Sequence, residues 1–115
     1  MLVLFDHVTP RGIARFLVGH TVATAKERGW DTLSNGELLK AAEKAQFEVF
    51  LTADKNIRYQ HNLAERKIAI IVLGTPQWPW VKKHVDKIVA AVNTATAGAY
   101  IDVDIPFDYR PSRSV

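Results

Sequence analysis

The stretch Leu2–Asp6 reads LVLFD, and it decides the fold because a short, wholly apolar run ends directly on an aspartate. A strand with one solvated face alternates apolar and polar residues, whereas a strand covered on both faces is apolar throughout. Leu2–Phe5 therefore predicts a central strand of a parallel sheet. Asp6 is then placed at the carboxyl end of that strand.

The rest of the chain alternates similar apolar runs with amphipathic segments. Further strands are predicted at residues 20–25, 47–52 and 68–73, and the alternating residues 100–105 are typical of an edge strand. Helices are predicted to begin at Thr9–Pro10, Ser34, Lys55 and Pro76 or Pro79. The first would turn Ile13, Phe16 and Leu17 inward, and the last Val81, Val85, Ile88, Val89 and Val92. This order predicts an α/β fold with a mainly parallel sheet and helices on both faces.

Length and composition indicate a single domain. The chain has 115 residues, of which 48% are hydrophobic, and this is enough for one buried core without disulfides or structural zinc. Cysteine is absent and no apolar run is long enough for a membrane span, so we expect a soluble, cytoplasmic protein with no membrane partner. We assign residues 1–95 to the domain and 96–115 to a C-terminal edge strand and flexible tail.

The charge is uninformative. Fifteen basic residues against 12 acidic ones give a formal charge of +3, which permits attraction to phosphate but does not identify a nucleic-acid-binding protein.

Two aspartates follow predicted strands. Asp6 ends the first strand and Asp54 lies two residues after the third. Ligands bind beyond the carboxyl ends of such strands, where the two carboxylates would share a cleft if the strands are neighbours. Two close carboxylates repel unless a hard cation such as Mg²⁺ or Mn²⁺ lies between them. The alternatives are structural: Asp54 as a helix N-cap and Asp6 as a turn former.

An ordered series of motifs resembles the minimal bacterial PIN-like domains, which are related to VapC-type toxins and to the Mut7-C nuclease domain. The matching segments are Val3–Asp6, Thr9–Pro10, Gly19–Val22, Gly29–Trp30, Ser34–Leu39 and Leu51–Asn56. The resemblance spans residues 2–92. It implies a compact three-layer α/β/α fold and Mg²⁺- or Mn²⁺-dependent cleavage of RNA, as in the toxin of a toxin–antitoxin pair.

The resemblance also implies a set of site residues. Asp6 and Asp54 match the acids after the first and third strands of the family. A further family acid opens the second helix, where this chain has Asn35 and Glu37, and another follows two residues after Asp54, where it has Asn56. The implied catalytic residues are Asp6, Glu37 and Asp54, with Asn56 as an additional metal ligand. Glu37 has a second possible role, because Ser34–Glu37 has the pattern of a capping box.

Basic and aromatic residues near these acids are candidates for substrate contacts. Arg11, Arg15, Lys55 and Arg58 are the candidates for holding the RNA backbone. Trp78 and Trp80 would either stack on unpaired bases or pack against the start of a helix. The expected partners are RNA, an antitoxin protein and a second copy of the chain. The alternative is a degenerate PIN-like module that binds RNA or protein without cleavage, consistent with Asn35 and Asn56.

Overall fold

Five parallel strands form a single sheet in the computed structural model, which describes residues 1–57 and 66–106. The strands are β1 (Leu2–Phe5), β2 (Thr21–Thr24), β3 (Val49–Thr52), β4 (Ala69–Leu73) and β5 (Tyr100–Val103). They are arranged in the order β2-β1-β3-β4-β5, and every neighbouring pair is parallel. The predicted α/β class, the parallel sheet and the edge position of the last strand are confirmed.

Helices connect the strands. They are a 3₁₀ helix (Arg11–Phe16), α1 (Asn35–Lys44), α2 (Trp78–Val81), a 3₁₀ turn (Lys82–His84) and α3 (Val85–Thr94). The helix predicted from Lys55 to Leu63 falls mainly on residues 58–65, which lie outside the described part, as do residues 107–115 of the tail. In the part of the chain that the structure describes, no helix is long and apolar enough to cross a membrane.

Two details of the helix prediction were wrong. Thr9 does not cap the first helix, because its hydroxyl is bound to Asp6, and the segment forms only six residues of 3₁₀ helix with Phe16 37% exposed. The last predicted helix is also not continuous. A 3₁₀ turn has three residues per turn and therefore rotates the segment after it. The predicted inward stripe is nevertheless present: Ile88 and Val92 are fully buried, and the half-buried Val85 and Val89 pack against the same cluster.

Each face of the sheet is covered by its own apolar cluster. On one face Val3, Phe5, Val49, Leu51 and Ile71 pack with the first 3₁₀ helix, α2 and α3. On the other face Leu4, Phe50, Ile70 and Val72 pack with Leu38, Leu39 and Ala42 of α1. These alternating positions follow from the two-residue period of a strand. The arrangement is compatible with a three-layer α/β/α fold.

The topology places a switch point between β1 and β3. The chain passes from β1 to β2 on one side and then returns to β3 on the other side of β1. Connections on opposite sides of a strand leave a crevice at the carboxyl ends, and this crevice is the usual ligand site of open α/β sheets. Asp6 and Asp54 both follow these two strands.

Candidate functional site at the carboxyl edge

The Asp6 carboxylate is buried and is held by neutral donors. Its side chain is 4% exposed. Oδ1 accepts the Thr9 hydroxyl at 2.5 Å and the backbone N–H groups of Thr9 and Val8 at 3.0 and 3.3 Å. Thr9 has one hydroxyl hydrogen, and the Leu51 carbonyl at 2.9 Å is the more distant of its two acceptors. The loop after β1 is thus folded around this carboxylate, as expected of an aspartate turn.

Thr52 connects the two aspartates. Its hydroxyl donates to Asp6 Oδ2 at 2.5 Å and accepts the backbone N–H of Asp54 at 3.0 Å. The register that pairs Phe5 with Leu51 brings the end of β1 beside the end of β3, and Thr52 itself is fully buried. An O–H···O⁻ bond of this length is in the range of charge-assisted hydrogen bonds. The loops after β1 and β3 are therefore adjacent at this edge, joined through the Thr52 hydroxyl and the Asp54 backbone N–H.

Asp54 has a different set of partners. Its side chain is half-buried, Oδ1 accepts the Asn56 backbone N–H at 3.0 Å, and Oδ2 accepts the Asn35 amide at 2.9 Å. Asn35 is the first residue of α1, so this bond joins the beginning of α1 to the loop after β3. The amide donor supplies a partial positive charge where a cation would otherwise neutralise the carboxylate.

Glu37 is engaged in the capping box that the sequence allowed. Its Oε1 accepts the Ser34 backbone N–H at 2.9 Å, and the Ser34 hydroxyl accepts the Glu37 backbone N–H at 3.3 Å. Hydrogen bonds from the backbone and side chain of Ser34 lower the pKa of Glu37, with Lys40 making a smaller contribution. Within residues 1–57 and 66–106, no group of three His, Cys, Asp or Glu side chains is placed to hold a metal ion.

Arg11 and Lys55, two of the candidate basic residues, line different clefts. Arg11 lines an open cleft of about 420 Å³ together with Asp6, His7, Thr9 and Lys26. Lys55 and Asn56 are exposed and line a separate cleft, of about 430 Å³, beside the ends of β4 and β5.

The remaining candidates are less closely placed. Arg15 lies further along the 3₁₀ helix, with its guanidinium 5.1 Å from the centre of the Phe16 ring. Arg58 lies outside the described residues. Trp78 packs against Gly12, where an added Cβ would lie 2.7 Å from the ring.

A cavity larger than either of these clefts lies elsewhere. It has a volume of about 650 Å³ and lies at the amino edge of the sheet, between the end of α1 and residues 95–97. We place the candidate site at the carboxyl edge despite this larger cavity, because the buried carboxylate and its hydroxyl partners are there. The volume of a cavity alone does not indicate a chemical function.

The donor set fits one hard divalent cation better than two. Asp6 and Asp54 offer two negative charges. Asp6 Oδ2 and the two Asp54 oxygens each accept one hydrogen bond and keep a lone pair for a metal, whereas Asp6 Oδ1 already accepts three donors. Mg²⁺ is typically bound by one or two carboxylates with water completing its octahedron. The buried Asp6 meets only neutral donors among the described residues, so a cation would supply the charge partner that such a group favours.

Sequence reasoning did not predict the hydrogen bonds that three polar residues make to the two carboxylates. Thr9, Thr52 and Asn35 hold the carboxylates, yet a threonine at a strand end or an asparagine at a helix start is an ordinary residue by itself. The sequence signal available was the two-residue separation of Thr52 and Asp54, which suits a hydroxyl that accepts a hydrogen bond from a backbone N–H.

Comparisons with known proteins do not extend this description. A scan against protein-family models finds no match, and searches among curated proteins and among solved structures find none either.

Proposed function

We propose that the chain is a ribonuclease of the PIN-like type that depends on Mg²⁺ or Mn²⁺, with Asp6 and Asp54 as its metal ligands. The observation that carries the proposal is the Thr52 hydroxyl, which binds Asp6 Oδ2 and the Asp54 N–H at the switch point of the sheet. Two acids that are 48 positions apart in sequence are thereby held in one network. The resemblance of the motif series supplies the reaction class.

The acidic and basic residues of the site have different roles in the proposed reaction. Asp6, fixed by Thr9 and Thr52, holds its carboxylate in one orientation, and the more exposed Asp54 orients an attacking water. A bound divalent ion in such a site lowers the pKa of water and neutralises phosphate oxygens. Arg11 and Lys55, exposed on either side, hold the RNA backbone.

The other candidates have subsidiary roles. Glu37 and the Asn56 side chain would offer further oxygen ligands to the ion, while Arg15 and Arg58 would extend the phosphate contacts. For Glu37 a direct role requires the bond to the Ser34 N–H to open.

Metal binding is the first test. Isothermal titration with Mn²⁺ should give saturable heat with the wild-type chain and no saturable heat with Asp6→Asn or Asp54→Asn. Asp86→Asn is the matched control, because it removes one exposed carboxylate from the first turn of α3. Equal heats in all four proteins would remove the metal site from the proposal.

Cleavage is the second test. Single-stranded RNA incubated with Mn²⁺ should be cut by the wild-type chain and by Asp86→Asn, and not by Asp54→Asn. Expression of the wild-type chain should also arrest growth of a bacterial host if it acts as a toxin, and Asp54→Asn should not. A folded wild-type chain that binds Mn²⁺ without cutting RNA would show that the proposed reaction class is wrong.

A degenerate PIN-like module is the second candidate, and a specific contact favours it. The Asn35 amide donates to Asp54 Oδ2, so the chain provides a neutral donor where the family has an acid. Glu37 is also turned back to Ser34. In this case RNA or a protein partner, either an antitoxin or a second copy of the chain, would bind without being cleaved.

Asn35→Asp distinguishes the two candidates. A second carboxylate in place of the 2.9 Å amide donor should lower stability in chelator by about 1 kcal/mol, through loss of one hydrogen bond and repulsion. In a degenerate module, the variant should gain Mn²⁺-dependent melting stability or cleavage that the wild-type chain lacks. Asn35→Ala controls for loss of the amide without added charge. A wild-type chain that already cleaves RNA would exclude the degenerate module.

A further inference from the structure

Two open clefts at the carboxyl edge share one wall. The first, of about 420 Å³, contains Asp6, His7 and Lys26. The second, of about 440 Å³, is lined by Phe5, Gly12, Ala14 and Val22. Arg11, Thr24 and Glu27 line both clefts. The acidic site and the second cleft are therefore neighbouring compartments.

The wall that both clefts share contains an ion pair between Glu27, which is held by Thr24, and Arg11, which is exposed. Glu27 Oε1 accepts the Thr24 backbone N–H at 2.9 Å, and the Thr24 hydroxyl accepts the Glu27 N–H at 3.1 Å. These bonds to Thr24 lower the pKa of Glu27, with a smaller contribution from Arg11, so the carboxylate is charged at neutral pH. Arg11 is 78% exposed and its guanidinium reaches Glu27 only at 4.0 Å. Such an exposed contact is weak and leaves the fork of Arg11 free to bind an anion.

The second cleft has a mixed lining, with apolar surface beside the polar groups of Arg11, Thr24 and Glu27, because of how the connection from β1 to β2 is built. The 3₁₀ helix is six residues long and lies over an edge strand, so it covers β2 incompletely. Ala14 and Val22 remain half-buried at its sides, with the fully buried Phe5 beneath them. A cleft of this size and mixed lining suits a flat nucleobase, whose faces are apolar and whose edges carry hydrogen-bonding groups.

We infer that the two clefts together bind one nucleotide unit of the substrate strand, with its phosphate on Arg11 and its base in the cleft formed by Phe5, Ala14 and Val22. Glu27 acts as a weak internal competitor for Arg11 until a phosphate replaces it. The inference rests on the proposed ribonuclease function for the identity of the strand. The geometry itself points only to an anion next to a flat ring with polar edges.

The test uses binding alone, in chelator and without divalent metal. Backbone amides of Gly12, Thr24 and Glu27 are followed by NMR during titration with AMP, adenosine and inorganic phosphate. AMP should bind at least about tenfold more tightly than either part, because both compartments are occupied. Arg11→Gln should weaken AMP and phosphate about tenfold, as expected for a charge-assisted contact, without changing adenosine.

The other compartment and the competitor have their own variants. Ala14→Leu should weaken AMP and adenosine but not phosphate, and Val22→Met tests the same compartment from a different element in case the first variant does not fold. Glu27→Gln should tighten AMP and phosphate about two- to fivefold, the scale of an exposed ion pair. Lys44→Gln, which removes a positive charge from the other end of α1, should change nothing.

The outcomes separate this inference from the proposed function. AMP binding unaffected by Arg11→Gln, or by both folded cavity variants, would overturn the nucleotide site even where Mn²⁺ binding and cleavage are observed. If Mn²⁺ gives no heat but AMP responds as described, the nucleotide site stands and the nuclease proposal falls. Asp54→Asn should not weaken AMP in chelator, since it lines neither cleft.

Discussion

The two edges of the sheet are built by different means. In residues 1–57 and 66–106 the buried polar side chains are Asp6, Thr9, Thr52 and Thr75, and each lies at or just after the carboxyl end of a strand. The amino edge instead turns through left-handed backbone at Gly19, Gln46 and Gly98, a conformation that the carboxyl side has at Gly29. There the turns close with backbone bonds, such as Gly98 N–H to the Lys67 carbonyl at 2.9 Å.

The difference places the buried polar side chains of the described residues at the carboxyl edge. A turn needs only backbone hydrogen bonds and a residue that tolerates positive φ, and the amino edge meets this requirement with almost no buried polar side chains. Burying a carboxylate and three hydroxyls is unfavourable unless each is bonded. A chain that needed only to fold would gain little from such a network. The carboxyl edge is therefore where we expect substitutions to affect binding as well as stability.

The largest expected effect is that of Asp6→Asn. The amide cannot accept at both ends, so it opposes the Thr52 hydroxyl or the Thr9 donors inside a site that is 4% exposed. We expect a loss of about 3 kcal/mol in the free energy of unfolding, measured by urea denaturation. Asp54→Asn, in a half-buried position, should lose about 1 kcal/mol. Equal losses in the two variants would contradict the distinction between a structural and an accessible acid.

Thr52→Val should have the next largest effect. Valine keeps the shape and removes the hydroxyl that binds Asp6 Oδ2 and the Asp54 N–H. We expect a loss of about 2 kcal/mol in unfolding free energy, together with weaker Mn²⁺ binding. Thr52→Ser keeps the hydroxyl and should retain the Mn²⁺ affinity. Loss of stability with unchanged Mn²⁺ affinity would mean that the bridge is structural only.

The sequence predicts the central strands more completely than it predicts the first helix. Apolar runs such as Leu2–Phe5 and Ile68–Leu73 identify central strands because both of their faces must be covered. The first helix was less predictable, because Thr9 has the composition of an N-cap but its hydroxyl is used by Asp6. Phe16 was predicted to be inward and is exposed, since six residues of 3₁₀ helix turn too few positions toward the sheet.

The candidate site was predictable only in part. Strand ends and strand adjacency brought Asp6 and Asp54 to one edge, which the topology confirms. The roles of Asn35 and Thr52 depend on contacts between the loops after β1 and β3 and the start of α1, and no local pattern encodes such contacts. For Glu37 the local pattern, a capping box, described the structure directly.

A smaller effect is expected at the amino edge, from Gln46→Gly. Gln46 has φ of 66° at the end of α1, where Phe47 N–H binds the Ala42 carbonyl at 2.9 Å. Glycine adopts this conformation without the steric cost that other residues have, so we expect a gain of about 1 kcal/mol in thermal or urea unfolding. Lys44→Gly, within the helix, should lose a similar amount. Mn²⁺ affinity should be unchanged in both variants, and a change would contradict the separation of the two edges.

The smallest effect concerns the opposite end of α1 and depends on pH. Bonds from Ser34 lower the folded-state pKa of Glu37 below its ordinary value of 4.5. The stabilisation from this depressed pKa is thus fully present above about pH 5 and is lost as pH falls through the lowered folded-state pKa. The stability advantage of the wild-type chain over Glu37→Gln should shrink over that acidic range, in urea titrations at pH 7 and below 4. Carbon NMR of the carboxyl should show Ser34→Ala raising the Glu37 pKa only partway, because the backbone N–H of residue 34 remains the stronger donor. A constant advantage at every pH would mean that Glu37 leaves the capping box in solution, which would free its carboxylate for the metal site.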